Sequence, residues 1–392
     1  MSRLADRQFE IVLRNRVVFG VGSVSRLPEL IAAAGGSRVF LVTDPGVVAA
    51  GIADRAMAAY PLPATVYSEV EPNPSGATIE SGAAALRAYG LDGTVIVALG
   101  GGSAMDAAKA IALCAANDRP LWELEYDGPD LAPGRPIVAI PTTAGTGSEA
   151  HPFAVITHEE IGRKDYIGHP SLLPCATILD PGLTVGLPAG VTAATGVDAL
   201  THSLESLLSR NGNPFAEATA LGVIRTVSEW LPRAVLDGAD LDARSQMLMA
   251  SHLAGVGQAS GTGVGLVHAL GHALGTRGRL AHGTALAVVL PEVLSFYAAE
   301  PGLRDRELAL VGVTLRAASP TEHEATAAGA AIGELRRLLA SLGQRPTLRS
   351  LGFDEAMLDL VAQDAIDDAA INNSPRLPSF AEASTIVGAV LD

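Results

Sequence analysis

The feature that most narrows the possible folds is a series of short, uninterrupted apolar runs, each separated from the next by a helix-like stretch. RVFLVTD (Arg38–Asp44), ATVYS, TVIVALG ending at Gly100, the RPIVAIP segment from Arg135, and ATILDP (Ala176–Pro181) all read as strands. Their apolar residues run on continuously instead of alternating with polar ones, so both faces of each strand must be covered. VSRLPELIAAAGG, with Gly35 and Gly36 as its stop signal, a segment reaching about Tyr60, and Gly76–Tyr89 with Gly90 as its stop read as the helices between them. Strand and helix in alternation predict a parallel α/β sheet covered on both faces, and ligands of such sheets bind at the carboxyl ends of the strands.

Two loops lie where that rule points. In GGGSAMDAAKA (Gly100–Ala110) a strand runs into three glycines, whose bare backbone amides can approach a phosphate, and Ser103 opens a helix whose dipole favours an anion. Asp106, in the first turn, is either part of this cofactor loop or a dipole-favoured helix residue. The second loop, PTTAGTGSEA, offers the hydroxyls of Thr142, Thr143 and Thr146 beside small residues. FAVITHEEIGRKDYIG then reads as a hairpin-like excursion carrying Lys164. Near Pro188 the pattern changes to long amphipathic helices such as PFAEATALGVIRTVSEWLPRAV, which divides the chain into an α/β domain over 1–188 and an all-helical domain over 189–392.

The helical part holds the histidines. GLVHALGHALGTRGRLAHG places His272 four residues and His282 fourteen residues after His268. Asp198 and His202, four apart in TGVDALTHSLES, would share one helix face. Together they make a candidate metal site, although spacing alone does not say which of the three downstream histidines bind the ion.

The 392 residues, 48% of them hydrophobic, can fill two cores. A formal net charge of -15 excludes nucleic acid as the main partner, because phosphate binding needs clustered Lys and Arg. Two cysteines, Cys114 and Cys175, exclude a disulfide framework, and both are expected to be buried packing residues. With no apolar leader near the start and no run long enough to span a membrane, a soluble cytoplasmic protein is expected.

GGGSAMDAAK, TTAGTGSE, GVDALTHSLE and the HxxxH followed ten residues later by a third His resemble the iron-containing (group III) alcohol dehydrogenase family, from FGVGS near the start to INNSPRLPS near the end. The resemblance implies a Rossmann-like amino-terminal domain, a helical carboxy-terminal domain, NAD and a divalent metal, Fe2+ ahead of Zn2+. It assigns Asp198, His202, His268 and His282 to the metal and His272 to proton relay beside the reacting centre. It assigns Gly100, Gly101, Gly102 and Ser103 to the pyrophosphate, Thr142, Thr143 and Thr146 to ribose and phosphates, and Lys164 to the nicotinamide ribose. Asp44 falls at the family position beside the adenosine ribose, where a carboxylate accepts from the 2′-hydroxyl and repels a 2′-phosphate, so NAD is expected over NADP.

The chain departs from the family pattern at His151 and Phe153, expected to line the substrate pocket, and at Arg277 and Gly278, where relatives usually carry aromatic residues and a second arginine, Arg279, follows. Arg277 or Arg279 is a candidate reader of a substrate carboxylate or phosphate. The expected activity is hydride transfer between a small alcohol and NAD, the metal acting as Lewis acid, in a homo-oligomer, most simply a homodimer. The alternatives are a maleylacetate-reductase-like enzyme reducing an acidic oxo substrate and a dehydroquinate-synthase-like lyase.

Overall fold

The computed structural model of the chain describes residues 9, 11, 15–58, 60–61, 63–124 and 130–392. Most of the amino-terminal stretch on which the expected absence of a leader rests lies outside the described residues. The strands are β1 (Arg16–Phe19), β2 (Arg38–Val42), β3 (Ala64–Tyr67), β4 (Thr94–Gly100), β5 (Ile137–Pro141), β6 (Phe153–His158), β7 (Arg163–Gly168) and β8 (Ala176–Leu179). Between them run α1 (Leu27–Ala33), α2 (Pro45–Ala49), α3 (Ile52–Met57), α4 (Gly76–Tyr89) and α5 (Gly102–Ala116). Six strands pair in the order β1-β8-β5-β4-β2-β3. Every pairing in that sheet is parallel. The hairpin β6/β7 is antiparallel and pairs Lys164 with Thr157.

The apolar run of β4 shows why the sheet is covered twice. All seven of its residues are buried. Ile96 and Ala98 pack on one face with Ile79, Ala83 and Leu86 of α4 and Ile111 of α5. Val95, Val97 and Leu99 pack on the other with Leu27, Leu30 and Ile31 of α1. This is the period-two alternation of a strand expressed as two cores. The helix stops are as expected: Gly35 (φ 74) follows the C-cap of α1, and the amides of Gly35 and Gly36 bond back to Ala32 and Ile31 at 3.0 and 2.9 Å.

The sheet order also locates the ligand end. From β2 the chain goes outward to β3 and then returns to β4 on the other side of β2, so the direction of winding reverses between β2 and β4. That reversal is the topological switch point, and the residues at its carboxyl edge are Asp44, just after β2, and Gly100–Gly102, at the end of β4.

The remaining helices are α6 (Ala189–Leu208), α7 (Pro214–Leu236), α8 (Leu241–Gly257), α9 (Leu266–Gly278), α10 (His282–Ala298), α11 (Asp305–Thr314), α12 (Glu324–Ser341), α13 (Glu355–Asp367) and α14 (Phe380–Gly388). The chain forms two compact units. The first is Arg14–Thr192 with Leu236–His252, and the second contains Ala193–Val235 and Leu253–Asp392. A single cut after 188 does not capture this division, because most of α8 belongs to the first unit. Arg244 of α8 donates to Thr192 Oγ1 at 2.8 Å and to Leu187 O at 3.1 Å. His252 lies 3.0 Å from the buried Glu149. Sequence patterning reports the helical character of α8 but not which core it joins.

One expectation about the core is corrected. Cys114 is buried, but Cys175 is exposed. It stands just before β8, at the amino-terminal end of the sheet, and its thiol donates to Ile137 O at 3.2 Å.

Candidate metal centre and cofactor loops

Helix α6 carries Asp198, His202 and Glu205 at i, i+4 and i+7, one face of one helix, and all three are buried. Buried His268 and His272 lie on α9, and His282 opens α10. The Nε2 atoms of His202, His268 and His282 each lie 3.5 Å from Asp198 Oδ1. Ligand atoms of Asp198, His268 and His282 all stand within 4.8 Å of one another. Close approach of two helices makes this possible. A Cβ on Gly283 would sit 1.9 Å from the carbonyl oxygen of Ala194, so only glycine lets the first turn of α10 lie against α6.

The cluster suits a cation. A separation of 3.5 Å is long for a hydrogen bond. Atoms held about 2.1 Å from a common tetrahedral ion, in contrast, stand roughly 3.4 Å apart. Asp198 Oδ1 and His268 Nε2 are both buried without a hydrogen-bond partner. Leaving such a group unsatisfied costs about 1–3 kcal/mol, so the arrangement is anomalous unless an ion fills it. Three imidazoles and one carboxylate, with no thiolate, suit Fe2+ or Zn2+. Electrostatics agree. Burial opposes ionisation of Asp198, yet His202 and His282 hold its carboxyl well below the usual range. Burial also opposes an imidazolium at His268, but Glu205 and Asp198 push it up to about 9.

Two carboxylates that sequence reading did not single out orient these imidazoles. Glu205 accepts from Val267 N at 2.7 Å, Gly265 N at 2.9 Å and His268 Nδ1 at 2.6 Å. Asp368 Oδ2 lies 2.7 Å from His272 Nδ1, and its other oxygen accepts from Ala370 N at 2.8 Å. An ionised carboxylate only accepts, so each histidine carries a proton on Nδ1. The i, i+4, i+7 spacing was the available signal for Glu205. Asp368 had none, being 96 residues from its partner.

In the first unit the two loops meet through their glycines. Gly100 has φ 148, and a Cβ there would lie 2.7 Å from Ala104 Cβ and 3.0 Å from Asp44 Oδ2. A Cβ on Gly101 would lie 3.3 Å from Thr143, and one on Gly102 would lie 2.5 Å from Thr146 Cγ2. The GGG turn therefore lies directly against the threonine loop, and Thr142 N donates to Gly100 O at 2.9 Å. Ser103 Oγ accepts from Asn73 N at 3.2 Å, and Thr146 Oγ1 from Ser148 N at 3.2 Å. Asp44 caps α2 by accepting from Val47 N at 2.9 Å. Asp106 is bonded within the protein: Ser148 Oγ donates to one oxygen at 2.6 Å and Val155 N to the other at 3.1 Å.

Lys109, one turn on from Asp106, escaped the sequence reading because a lysine in a helix is solvated by default. It is 1% exposed and donates to Ser148 O and Oγ, both at 2.6 Å, and to Phe153 O at 2.8 Å. Burial pushes its ammonium down to about 8, against the pull of Asp106 and Glu149. Lys109 thereby ties the threonine loop to the start of β6. His151 is buried there, stacked on Phe153 with ring centroids 3.7 Å apart.

The model of the iron-containing alcohol dehydrogenases matches residues 14–181, and that of their carboxy-terminal domain matches 192–390. The chain belongs to the iron-containing alcohol dehydrogenase family. It is 36% identical to the probable alcohol dehydrogenase EutG of Escherichia coli (strain K12), over 92% of this chain and 89% of that protein. It is 39% identical to 4-hydroxybutyrate dehydrogenase of Cupriavidus necator, over 92% and 94% of the two. Among solved structures, a 1,3-propanediol oxidoreductase superposes with a TM-score of 0.93 at 33% identity, covering 98% of this chain and 100% of that one.

The activity of this dehydrogenase is accordingly the NAD-linked interconversion of an alcohol and its carbonyl compound, and the acidic-oxo-substrate and lyase readings are not favoured. Family membership implies a nicotinamide cofactor and a divalent metal. None of its described helices is long and apolar enough to cross a membrane.

Arg277 has a partner within the protein. Its Nε and Nη2 bond Asp364 of α13 at 2.6 and 2.9 Å, so the edge of the guanidinium that grips carboxylates is already taken. Arg277 thereby joins α9 to α13. Arg279, exposed at the left-handed C-cap of α9 (φ 52), terminates that helix.

Proposed function

We propose that the dehydrogenase binds Fe2+, or Zn2+ in its place, through Asp198, His202, His268 and His282 in the second unit. NAD is bound in the first unit through Asp44, Gly100–Ser103, Thr142, Thr143, Thr146 and Lys164. The observation that carries this reading is the convergence of three imidazole Nε2 atoms at 3.5 Å on one buried carboxylate oxygen that has no hydrogen bond. A divalent cation bound there supplies a Lewis acid that favours deprotonation of an alcohol and polarises the carbonyl in the reverse direction. NAD, when bound, would supply the hydride acceptor and, in the reverse direction, the hydride donor.

The chain's own residues orient and move protons. Asp368 holds a proton on His272 Nδ1, so Nε2 is the nitrogen that would exchange a proton with the substrate side. A buried carboxylate beside that ring also stabilises the imidazolium that results. The bare backbone at Gly100–Gly102 and the helix dipole of α5 favour a pyrophosphate. Asp44, at the switch point, favours an unphosphorylated ribose.

Relatives named for 1,3-propanediol and 4-hydroxybutyrate point to a primary alcohol carrying a second polar group. The test is metal analysis of the purified protein together with NADH formation on 1,3-propanediol, 4-hydroxybutyrate and simple alkanols. Turnover is expected to disappear on chelation and in His268→Ala, and to return to the wild-type protein with Fe2+ or Zn2+. Activity that survives both treatments would refute the metal reading.

A further inference from the structure

We propose that Glu205 is a positioning residue of the metal centre: it sets the tautomer of His268, so that Nε2 faces the ion, and locks that ring to the first turn of α9. This rests on the proposed metal reading.

Glu205 is buried, and N–H donors surround its carboxylate. Oε1 accepts from Val267 N at 2.7 Å and His268 N at 3.4 Å, while Oε2 accepts from Gly265 N at 2.9 Å and His268 Nδ1 at 2.6 Å. All four donors come from the segment that starts α9. Glu205 therefore does from a neighbouring helix what an N-cap side chain does from within its own, and its charge complements the helix dipole. One of the four donors differs in kind, because the imidazole can carry its proton on either nitrogen. The 2.6 Å bond keeps a proton on Nδ1, so His268 Nε2, 3.5 Å from Asp198 Oδ1, is the nitrogen that gives up its proton to a cation. Space around the carboxylate is tight as well: a Cβ on Gly265 would lie 3.2 Å from Glu205 Oε1. A helix cap alone would need the backbone bonds but not the shorter bond to the ring.

Glu205→Gln separates the two roles. The amide keeps the size but has one acceptor and one NH2. Placing NH2 on the Oε1 side opposes two backbone N–H groups that cannot adjust. On the Oε2 side it opposes only Gly265 N–H, because His268 can move its proton to Nε2 and accept at Nδ1. The variant therefore presents a protonated Nε2 to the ion.

Zn2+ affinity, measured by chelator competition, is expected to fall about 10–100-fold. The visible spectrum of the Co2+-loaded variant should report one imidazole fewer, and the thermal midpoint of the metal-free protein should fall, because Gly265 N–H loses its acceptor. Zn2+ affinity within twofold of wild type together with an unchanged Co2+ spectrum would reduce Glu205 to a helix cap. Should Glu205→Gln not fold, histidine-selective 15N spectra of the Zn2+-loaded wild type decide the matter: Nδ1–H at His268 supports the assignment, and Nε2–H overturns it. If the wild type itself takes up no Zn2+ at Asp198 and the histidines, it is the metal reading that fails. Binding that involves His268 but ignores Glu205→Gln sinks only this inference.

Discussion

Gly283→Ala tests whether the metal centre depends on the close approach of α6 and α10. The added Cβ would lie 1.9 Å from Ala194 O, a backbone atom four residues before Asp198. An ordinary carbon–oxygen contact is about 3.3 Å, so the two helices must part locally by about 1.4 Å. His282 is the residue next to the substitution and opens the same helix, so its Nε2 moves away from Asp198 Oδ1, from which it now stands 3.5 Å. A ligand bond tolerates shifts of only about 0.2 Å, so most of the His282 contribution to binding is lost. Misplacement by about 1 Å near the reacting centre costs on the order of 100-fold in rate. Overpacking of two helices costs about 1–3 kcal/mol in stability. The expected result is sub-stoichiometric metal after dialysis, a kcat lower by about 100-fold, and a lowered thermal midpoint. Gly333→Ala in α12, where a Cβ meets nothing within 4 Å, is the control and should leave metal and kcat unchanged. Stoichiometric metal and a kcat within about threefold of wild type in Gly283→Ala would show that the centre tolerates separation of the helices.

Three further outcomes follow from the geometry. Arg277→Ala should leave kcat/KM for 4-hydroxybutyrate unchanged and cost no more than about 1 kcal/mol in denaturant unfolding, because the Arg277–Asp364 pair is 36% and 25% exposed; a tenfold rise in KM for the anionic substrate alone would restore its role as an anion reader. Asp44→Ser keeps a cap for α2 while removing the charge, so efficiency with NADP should rise at least about tenfold relative to NAD; an unchanged ratio would remove Asp44 from cofactor selection. Lys109 titrates at about 8 in the folded chain and near its ordinary 10.5 when unfolded, so between those values the unfolded chain binds more protons and the contribution of Lys109 to stability rises with pH, and is lost as pH falls through about 8. Measured against Lys109→Met from pH 7 to 10, the stability of the wild type should gain by up to about 1.4 kcal/mol per pH unit above pH 8, whereas a flat difference would contradict the lowered ammonium pKa.

How much could be read without coordinates depended on the range over which each signal acts. The apolar runs of β2, β4 and β5, the Gly35–Gly36 stop and the β6/β7 hairpin are set by neighbours in the chain, and periodicity reports them. Motif order placed Asp198, His202, His268 and His282 in one set, and the structure brings their side chains around a single oxygen. The same face of α6 holds Glu205 at i+7, so its place beside the cluster is legible in the spacing alone.

Other features were decided by tertiary contact alone. A lysine in AAKA is indistinguishable from a solvated one until Ser148 and Phe153, 39 and 44 residues on, close over it. Arg277 was a free guanidinium on paper and is held by Asp364, 87 residues away. Asp368 reaches His272 across 96 residues, and the need for glycine at 283 exists only because Ala194 lies opposite it. By itself, then, the sequence determined which elements form and which residue types could perform the chemistry, since both depend on local stereochemistry and on donor identity. Which donors are oriented, which charges are already spent on protein partners and how closely two helices approach were decided by packing, because these depend on atoms that only the folded chain brings within a few ångströms.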